Sequence, residues 1–364
     1  MPQLDIPKLA VDRSLPLPPF AQVRDHLREL ISDGRLDGRL PSERDLADHF
    51  AVSYMTARRA IGDLVDEGML AREQGRGTFV RNRNSRAAAI GSIGIVLSPK
   101  IRQGVANPYV AAILQGVAEE GRRLGYRRTI IAEHPLDLMR DGRVGSVSGI
   151  IAIALSAAGF DDLETARKVM PVVGIDCGKG TEEIPNIVCD NRGGTRLAVE
   201  HLIQLGHKRI GYIGGDPPGE VAEARRDGYL DALRAAGLPA DPQYVVEGDF
   251  EMESGYAGAG RLLGQPQPPT AIACANDAMA FGVYQRAHGS GLKIPHDLSV
   301  IGFDDLPAAG YITPGLSTIR APRVELGWAA IQALTRMVGD TPQASHRVLP
   351  VSIYLRHSTA PPKA

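Results

Sequence analysis

The sequence predicts an α/β protein in two parts: a small helical unit that ends in a hairpin, then a large, doubly wound parallel sheet. Between Pro18 and Gly68, apolar residues recur every three or four positions, which is typical of helices. From Ile90 onward, short apolar runs alternate with amphipathic stretches, which is typical of parallel strands that are covered on both faces. The 364 residues, of which 43% are apolar and 23% charged, suffice for two or three globular domains.

Composition argues against several other classes of protein. No apolar run reaches the ~18 residues that a membrane-spanning helix needs. The start of the chain, from Met1 to Arg13, lacks the apolar middle of a signal peptide. The three cysteines are too few and too scattered for a disulfide framework or a zinc site. We therefore expect a soluble, cytoplasmic protein that holds no metal and no cofactor.

The helical unit is predicted to contain three helices. The first has an apolar face between Phe20 and Ile31. Ser42 is a typical N-cap for the second helix, and Asp45 stands three residues later as the reciprocal acid of a capping box. Ser53 is placed to cap the third helix, and Gly68 to end it.

Two short strands follow, at 69–72 and 78–81, around a glycine turn. Three helices and a hairpin in this order are the layout of a winged helix-turn-helix. Charge is divided within this unit, since residues 53–86 carry seven Arg against four acids, whereas residues 18–52 carry five Arg against seven acids. The local excess of Arg falls on the third helix and the hairpin.

The third helix has the chemistry of a helix that reads DNA. Its apolar residues lie on one side, which leaves Tyr54 and Arg58 on the other, and an Arg can donate two hydrogen bonds to a guanine edge in the major groove. The hydroxyls of Ser53 and Thr56 suit phosphate oxygens. Arg76 lies on a glycine-flanked turn, where the backbone can approach a groove closely. The alternative is a solvated, charged face on an ordinary helical bundle.

Over residues 18–81 the sequence resembles the DNA-binding domain of the GntR (gluconate repressor) family. The matching residues are Leu40-Pro41-Ser42-Glu43-Arg44-Asp45-Leu46-Ala47, Val52-Ser53, Thr56, Arg58, Ala60, Leu64, Gly68 and Gly75-Arg76-Gly77-Thr78-Phe79-Val80. The resemblance implies that the residues that contact operator DNA are Arg44, Ser53, Tyr54, Thr56, Arg58, Gly75, Arg76 and Gly77. Tyr54 stands where that family usually has Arg, and a Tyr cannot make the bidentate guanine contact.

In the large part of the chain, polar side chains stand where predicted strands stop. Asp176, Asn276 and Asp304 each follow or end an apolar run, and ligands of open α/β sheets bind beyond the carboxyl ends of strands. Their oxygens suit sugar hydroxyls, and Arg225 offers a fork of donors. The alternatives are helix N-caps for Asp176 and Asn276, and a structural ion pair for Arg225 and Asp304.

Residues 91–357 resemble the effector domain of the LacI/GalR (lactose/galactose repressor) family, which is similar to periplasmic sugar-binding proteins. The matching motifs are Asn107-Pro108-Tyr109, Asp190-Asn191, Glu200-His201-Leu202, Leu205-Gly206-His207-Lys208-Arg209-Ile210, Arg225, Ala275-Asn276-Asp277, Ile294-Pro295, Asp297 to Asp305 and Leu316-Ser317-Thr318-Ile319. The resemblance implies that Arg225 and Asp304 hold an effector from one lobe, while Tyr109 and Asp176 approach it from the other.

Two features depart from that family. The stretch between Ala132 and Gly149 is shorter than usual, and aromatic residues make up only 5% of the chain, with Trp328 the single tryptophan. The sequence thus offers no evident stacking platform for a sugar, and a polar or phosphorylated effector is compatible with it. His201 and His207 are interpreted as structural.

The predicted organisation has four segments. They are a flexible tail at 1–17, a winged helix-turn-helix at 18–81, a linker at 82–90 and a two-lobed effector-binding and dimerisation domain at 91–360. The first lobe is predicted to comprise about 91–189 with 321–345, and the second about 190–318 with 346–360.

The leading hypothesis is a transcription regulator, not an enzyme, that represses by binding palindromic double-stranded operator DNA as a homodimer under the control of a sugar or sugar-like effector. This combination is similar to the arabinose repressors of the same hybrid construction. A solute-binding protein of a transport system is the alternative that uses the same two-lobed domain. A dinucleotide-dependent enzyme is disfavoured because Gly214 to Gly219 has the wrong spacing and two prolines where amides are needed.

Overall fold

A computed structural model describes residues 6–7, 9, 11, 18–32, 35–36, 38–66, 69–73, 77–80, 92–126, 128–132, 147–155, 157–177, 184–217, 219–338 and 346–363. The chain divides into two compact units, Met1–Ala88 and Ala89–Ala364. Three predicted features lie outside the described residues: the linker at 82–90, the turn residues Gly75 and Arg76, and the shortened stretch at 133–146.

The front unit contains the predicted three helices and hairpin. Its elements are α1 (Pro19–Ser32), α2 (Glu43–His49), α3 (Tyr54–Asp66), β1 (Leu70–Glu73) and β2 (Gly77–Val80). The strands pair antiparallel, and Leu70 lies opposite Val80. The capping box at the start of α2 is confirmed: the Asp45 amide donates to Ser42 Oγ and the Ser42 amide donates to the Asp45 carboxylate.

The predicted apolar faces of the three helices meet in one core. Its fully buried members include Val23, Leu27, Leu30, Leu46, Phe50, Ile61, Leu64 and Leu70. The structure differs from the predicted flexible tail, because Ile6 is only 6% exposed and packs on this core. The rings of His49 and His26 lie at 2.8 and 3.0 Å from the carbonyl oxygens of Ile6 and Pro7, within hydrogen-bonding distance.

The second unit is built of alternating strands and helices. Its strands are β3 (Ser92–Leu97), β4 (Arg128–Ala132), β5 (Val147–Ile153), β6 (Val172–Ile175), β7 (Asn186–Cys189), β8 (Ile210–Ile213), β9 (Val245–Val246), β10 (Ala271–Cys274), β11 (Ser299–Asp304), β12 (Ser317–Arg320), β13 (Arg347–Leu349) and β14 (Ser352–Tyr354). Its helices are α4 (Pro108–Arg123), α5 (Ala157–Arg167), α6 (Asn191–Gln204), α7 (Glu220–Ala235), α8 (Met252–Leu263), α9 (Asp277–Gly289) and α10 (Arg323–Val338).

The strands form two six-stranded sheets, which define two lobes. The first-lobe sheet has the order β13-β7-β6-β5-β3-β4 and is parallel throughout. The second-lobe sheet has the order β14-β12-β11-β10-β8-β9, and only the β12–β14 pair is antiparallel. Each sheet has its own buried apolar core, as the continuous apolar runs of the sequence predict.

The chain crosses between the lobes three times, and the predicted boundary of the last crossing is wrong. The prediction assigned residues 346–360 to the second lobe, but β13 pairs in parallel with β7 in the first. The crossing therefore falls between Leu349 and Ser352, where β14 begins. The second crossing follows Arg320, which agrees with the predicted return to the first lobe at about 321. Short strands carry too few residues to show which sheet edge they extend, so only the three-dimensional pairing decides this.

Two glycines let helices α4 and α10 cross at very close range in the first lobe. A Cβ atom on Gly116 would lie 2.0 Å from the carbonyl oxygen of Val324, and one on Gly327 would lie 2.2 Å from that of Ile113. Any side chain at these positions would force the helices apart. The crossing fixes α4, which begins at the edge of the cavity described below.

None of the described helices is both long enough and apolar enough to span a membrane.

Candidate functional site

The exposed face of α3 presents the predicted DNA-contacting side chains. Tyr54 is 41% exposed, Arg58 is exposed and Thr56 is partly exposed. The helix start is fixed by Ser53, whose Oγ accepts a hydrogen bond from the Thr56 amide at 3.1 Å and lies 2.8 Å from the Thr56 hydroxyl. Met55 is 66% exposed on the same turn.

Other predicted DNA-contacting residues of the front unit are also exposed. Arg44 lies in the first turn of α2, and Gly77 begins β2. Two further arginines have partners within the unit, since Arg72 donates to the Glu43 carboxylate at 2.8 Å and the Arg59 guanidinium lies 3.9 Å from the centre of the Phe20 ring. The structure thus leaves Arg58 and Arg44 exposed as candidate DNA contacts.

In the second unit, a cavity of about 380 Å³ brings together all five predicted effector-binding residues. Tyr109 and Asp176 come from the first lobe, and Arg225, Asn276 and Asp304 from the second. They are far apart in the sequence and meet because the carboxyl ends of the parallel strands face the cavity. Asp176 directly follows β6, and Asp304 is the last residue of β11.

The backbone of the cavity wall is unusual at several strand ends. Asp176 has a φ of 47° and Asp304 a φ of 111°, and two further wall residues, Ala154 and Phe250, have φ values of 53° and 66°. Residues other than glycine rarely adopt positive φ, and where they do the surrounding structure holds them there, often at binding sites. These turns aim the side chains of strand-terminal residues at the cavity.

Arg225 is held rigidly by contacts on every side. It is 3% exposed, its Nε donates to Asn191 Oδ1 at 2.8 Å, and another guanidinium nitrogen donates to the carbonyl oxygen of Ala275. Its guanidinium lies 3.7 Å from the centre of the Phe303 ring. Nη2 forms an ion pair with Asp304 Oδ1 at 3.6 Å, beyond hydrogen-bond length.

Burial and charge compete in setting the pKa values of these groups. Burial raises the pKa of Asp304 to about 6, although the Arg225 charge opposes this rise. Burial also raises the pKa of Asp176, against the hydrogen bond that the Tyr109 hydroxyl donates to its carboxylate. For Arg225, burial disfavours the charge, but the Asp304 carboxylate, together with Cys189, Tyr109 and Asp176, outweighs burial, so the pKa is raised.

The geometry bears on the alternatives that the sequence left open. Asn276 is indeed the N-cap of α9, because its Oδ1 accepts from the Met279 amide at 2.9 Å, while its Nδ2 donates to the Phe250 carbonyl at 2.8 Å. Asp176 caps no described helix. The Arg225–Asp304 ion pair is present within the cavity wall.

Several wall residues were not among the predicted site residues. Asn191, which does not line the cavity but accepts a hydrogen bond from Arg225, was noted only as part of a motif, because this contact depends on folding. Lys100 donates to Asp216, so this pair links the first lobe to the second across the cavity. Phe250 and Tyr109 give the wall two aromatic rings, where aromatic content had indicated no stacking platform. Trp328 lies on α10 and is not part of the wall.

The two histidines that were interpreted as structural are engaged in local contacts. The His207 ring lies 2.8 Å from Thr270 Oγ1, 3.1 Å from Ser299 Oγ and 2.9 Å from the Ala360 carbonyl oxygen. The His201 ring lies 3.0 Å from Thr359 Oγ1. Burial lowers the pKa of both rings.

Comparison with known proteins identifies both units. Residues 19–80 match the model of the bacterial regulatory proteins of the gntR family, and residues 199–359 match the periplasmic binding protein-like domain. The chain is 32% identical over 326 residues to the HTH-type transcriptional repressor CytR of Escherichia coli (strain K12), covering 87% of this chain and 91% of that protein.

The chain belongs to the family of HTH-type transcriptional repressors with a LacI-type effector domain.

Solved structures of this repressor family agree with the fold. A LacI family transcriptional regulator from Enterococcus faecium with bound ribose has a TM-score of 0.67 and 29% identity, covering 75% of this chain and all (100%) of that one. A dimeric Lac repressor has a TM-score of 0.65 and 27% identity, covering 74% of this chain and 100% of that one. The protein is thus a ligand-responsive, DNA-binding transcription regulator with a gntR-type reading unit.

Proposed function

We propose that this regulator is a cytoplasmic repressor that binds a two-fold symmetric operator as a homodimer and has no catalytic step. Its response is set by a sugar or sugar-like effector in the cavity lined by Arg225 and Asp304. One observation carries the proposal: a chain with the exposed reading face of α3 also holds five predicted ligand-binding side chains around one cavity. The ribose bound to the related regulator supports the ligand class, and the dimer of a Lac repressor variant with a C-terminal deletion supports the assembly.

In this proposal the front unit supplies affinity and base discrimination. Arg58 reads a base edge, while Arg44, Ser53, Thr56, Gly75, Arg76 and Gly77 serve backbone contacts, which position a protein on the duplex. Tyr54 makes a phosphate or thymine-methyl contact, because its single hydroxyl cannot replace the fork of an arginine. Dimeric readers place two such helices about 34 Å apart, one turn of DNA.

The cavity supplies the control. Tyr109 and Asp176 contact the effector from the first lobe, and Arg225 and Asp304 from the second, so a bound ligand joins the lobes and favours their closed arrangement. Asn276 holds the edge of the cavity by capping α9. If the effector favours the closed state over the open state by about 1–3 kcal/mol, operator binding changes about five- to 150-fold.

Selection of binding sites from a random duplex pool, followed by titration of the selected duplex, tests this function. The full chain should enrich a palindrome and bind it as a dimer, with an affinity that falls steeply as salt is added, because phosphate contacts release counterions. Asp304→Ala should keep the operator affinity and lose the response to an effector drawn from a sugar and sugar-phosphate panel. An asymmetric site bound by one protomer, or a response that survives in Asp304→Ala, contradicts the proposal.

A further inference from the structure

The described wall of the cavity is strongly acidic. Of its 21 residues, seven are Asp or Glu, whereas only Lys100 and Arg225 are cationic. A chain whose net charge is −1 thus concentrates negative charge at the site where its effector is proposed to bind. Clefts that are lined by one sign of charge attract ligands of the opposite sign, and low-dielectric walls strengthen the effect.

Both cations of the wall already have anionic or carbonyl partners. Arg225 donates to Asn191 and Ala275 and faces the Asp304 carboxylate at 3.6 Å. Lys100 donates to the Asp216 carboxylate. The Lys100–Asp216 pair is exposed, with side chains that are 62% and 37% exposed, whereas the Arg225–Asp304 pair is buried. An incoming phosphate or carboxylate that drew Arg225 away from Asp304 would leave this acid unpaired in the wall. Removing one partner from a buried pair is strongly unfavourable.

Three carboxylate oxygens in the wall, by contrast, are buried and accept no hydrogen bond: Asp176 Oδ1, Asp304 Oδ1 and Glu220 Oε2. Asp176 is 8% exposed and Asp304 is 4% exposed, so solvent reaches them poorly. Buried acceptors of this kind are expensive unless a donor reaches them. The wall therefore presents acceptors that a ligand rich in N–H or O–H groups would satisfy.

A positive charge serves these acceptors better than a neutral hydroxyl does. The charge of Glu220 contributes to raising the pKa of Asp176, so these two acids of the wall repel each other. Burial likewise raises the pKa of Asp304 to about 6. A cation between these carboxylates would stabilise their ionised forms, and charge-assisted hydrogen bonds are roughly twice as strong as neutral ones.

We propose that the effector of this regulator is a hydroxylated molecule that carries a protonated amine, such as an amino sugar, and that phosphorylated and carboxylated sugars are excluded. The proposal rests on the proposed function, since it names the ligand class of the same cavity. The amine lies among Asp176, Asp304 and Glu220, and the hydroxylated body lies against Tyr109 and Phe250.

Calorimetric titration of the full chain with matched sugars tests the proposal. Each set has one ring in neutral, amine and carboxylate forms: glucose, glucosamine and glucuronate, then the galactose and mannose equivalents. In at least one set the amine should bind about tenfold or more tighter than the neutral sugar, and the uronate should show no heat. Added salt should weaken the binding of the amine sugar and leave the binding of the neutral sugar unchanged.

A pair of variants shows whether the wall causes the preference. Glu220→Gln should reduce the ratio of amine to neutral affinity about threefold or more, because it removes one of the unpartnered acids. Glu253→Gln is the matched control. Like Glu220, Glu253 lies in the first turn of a second-lobe helix, but its side chain is 73% exposed and does not line the cavity. In this control variant the ratio of amine to neutral affinity should equal that of the wild type.

Tighter binding of a uronate or sugar phosphate than of its amine analogue would overturn the inference, as would the absence of heat with every amine. In either case the proposed function stands separately if a neutral or anionic sugar releases the selected operator and Asp304→Ala abolishes that release. If the chain enriches no duplex at all, the proposed function fails, whatever the sugars do.

Discussion

Arg58 and Arg225 show how differently one side chain is used in the two units. Arg58 is exposed on α3, and its charge stays in water until a partner arrives. Arg225 is 3% exposed, and its charge is compatible with folding only because Asn191, Ala275 and Asp304 surround it. Substitutions on the exposed face of α3 should therefore leave the stability of the front unit unchanged. Substitutions in the cavity wall should change the stability of the second unit.

The backbone shows the same contrast. The reading face lies on a regular helix whose start is fixed by local side-chain hydrogen bonds. The cavity wall instead contains four residues other than glycine with positive φ, two of them the predicted site residues Asp176 and Asp304. Such conformations persist only where the surrounding structure enforces them. The positions of the binding side chains thus depend on the packing of a whole lobe in the second unit, but on a single helix in the front unit.

The largest expected effect is the loss of stability on removing the buried cation. Arg225→Met should lower the free energy of unfolding of the second unit by about 3–5 kcal/mol, because Asp304 is left buried without its partner. Urea unfolding followed by the fluorescence of Trp328, the single tryptophan, reports this unit alone. Arg234→Met, which removes a guanidinium on a side chain that is 75% exposed, should leave the midpoint unchanged. Equal midpoints for the two variants would show that the buried Arg225 contributes no more to stability than an exposed arginine does.

Asp304→Asn should act in the opposite direction on stability, because Arg225 keeps its hydrogen bonds to Asn191 and Ala275 and its contact with the Phe303 ring, while the cost of ionising a buried carboxyl is removed. The folded-state pKa of about 6 exceeds the ordinary 3.8, so the folded protein binds the proton more tightly, and ionising this carboxyl opposes folding. At about pH 7.5 the variant should be more stable by about 1–3 kcal/mol. The gain should shrink through the window from about 6 to 3.8 and vanish below it. A gain that is independent of pH, measured by urea unfolding, would argue against this origin.

Arg58→Ala should weaken operator binding by about 1–3 kcal/mol if the side chain reads a base edge. Anisotropy titration of the selected duplex measures the loss, and the unfolding midpoint of the front unit should not move. Arg35→Ala, an exposed arginine between α1 and α2, is the control. If Arg58→Ala lowers stability along with affinity, the exposed face contributes to folding and the contrast with Arg225 is weaker than described.

The smallest effect concerns the local hydrogen bonds that fix the front unit. Ser42→Ala removes the capping box of α2 and should cost about 0.5–2 kcal/mol of that unit's stability. Amide hydrogen exchange in α2 and α3 measures this loss of stability, and exchange in the second unit serves as the internal control. A change in exchange rates within the second-lobe sheet would show that the two units do not unfold independently.

Much of the architecture could be predicted because its signals are local. The helical faces of α1 to α3, the Ser42–Asp45 box and most strands of the two sheets follow from periodicity, capping chemistry and continuous apolar runs. Helices α5 and α8 were not predicted, since the first has little apolar periodicity and the second is interrupted by glycines at 255, 258 and 260. Strands β12 to β14 hold only one or two apolar residues each, so no continuous apolar run marks them in the sequence.

The sequence by itself determined the chemistry of this protein: which side chains end strands at the sheet edge, which face of α3 is polar, and that one chain joins both. Only the tertiary structure decided which of those side chains form ion pairs and hydrogen bonds with one another and which are buried. Strand order and chain crossings bring Lys100 and Phe250 into the wall and Asn191 into contact with Arg225. They also place β13 beside β7 before the third crossing. Hydrogen-bond partners and burial depend on non-local packing, so the buried carboxylate oxygens that accept no hydrogen bond become visible only when both lobes are folded.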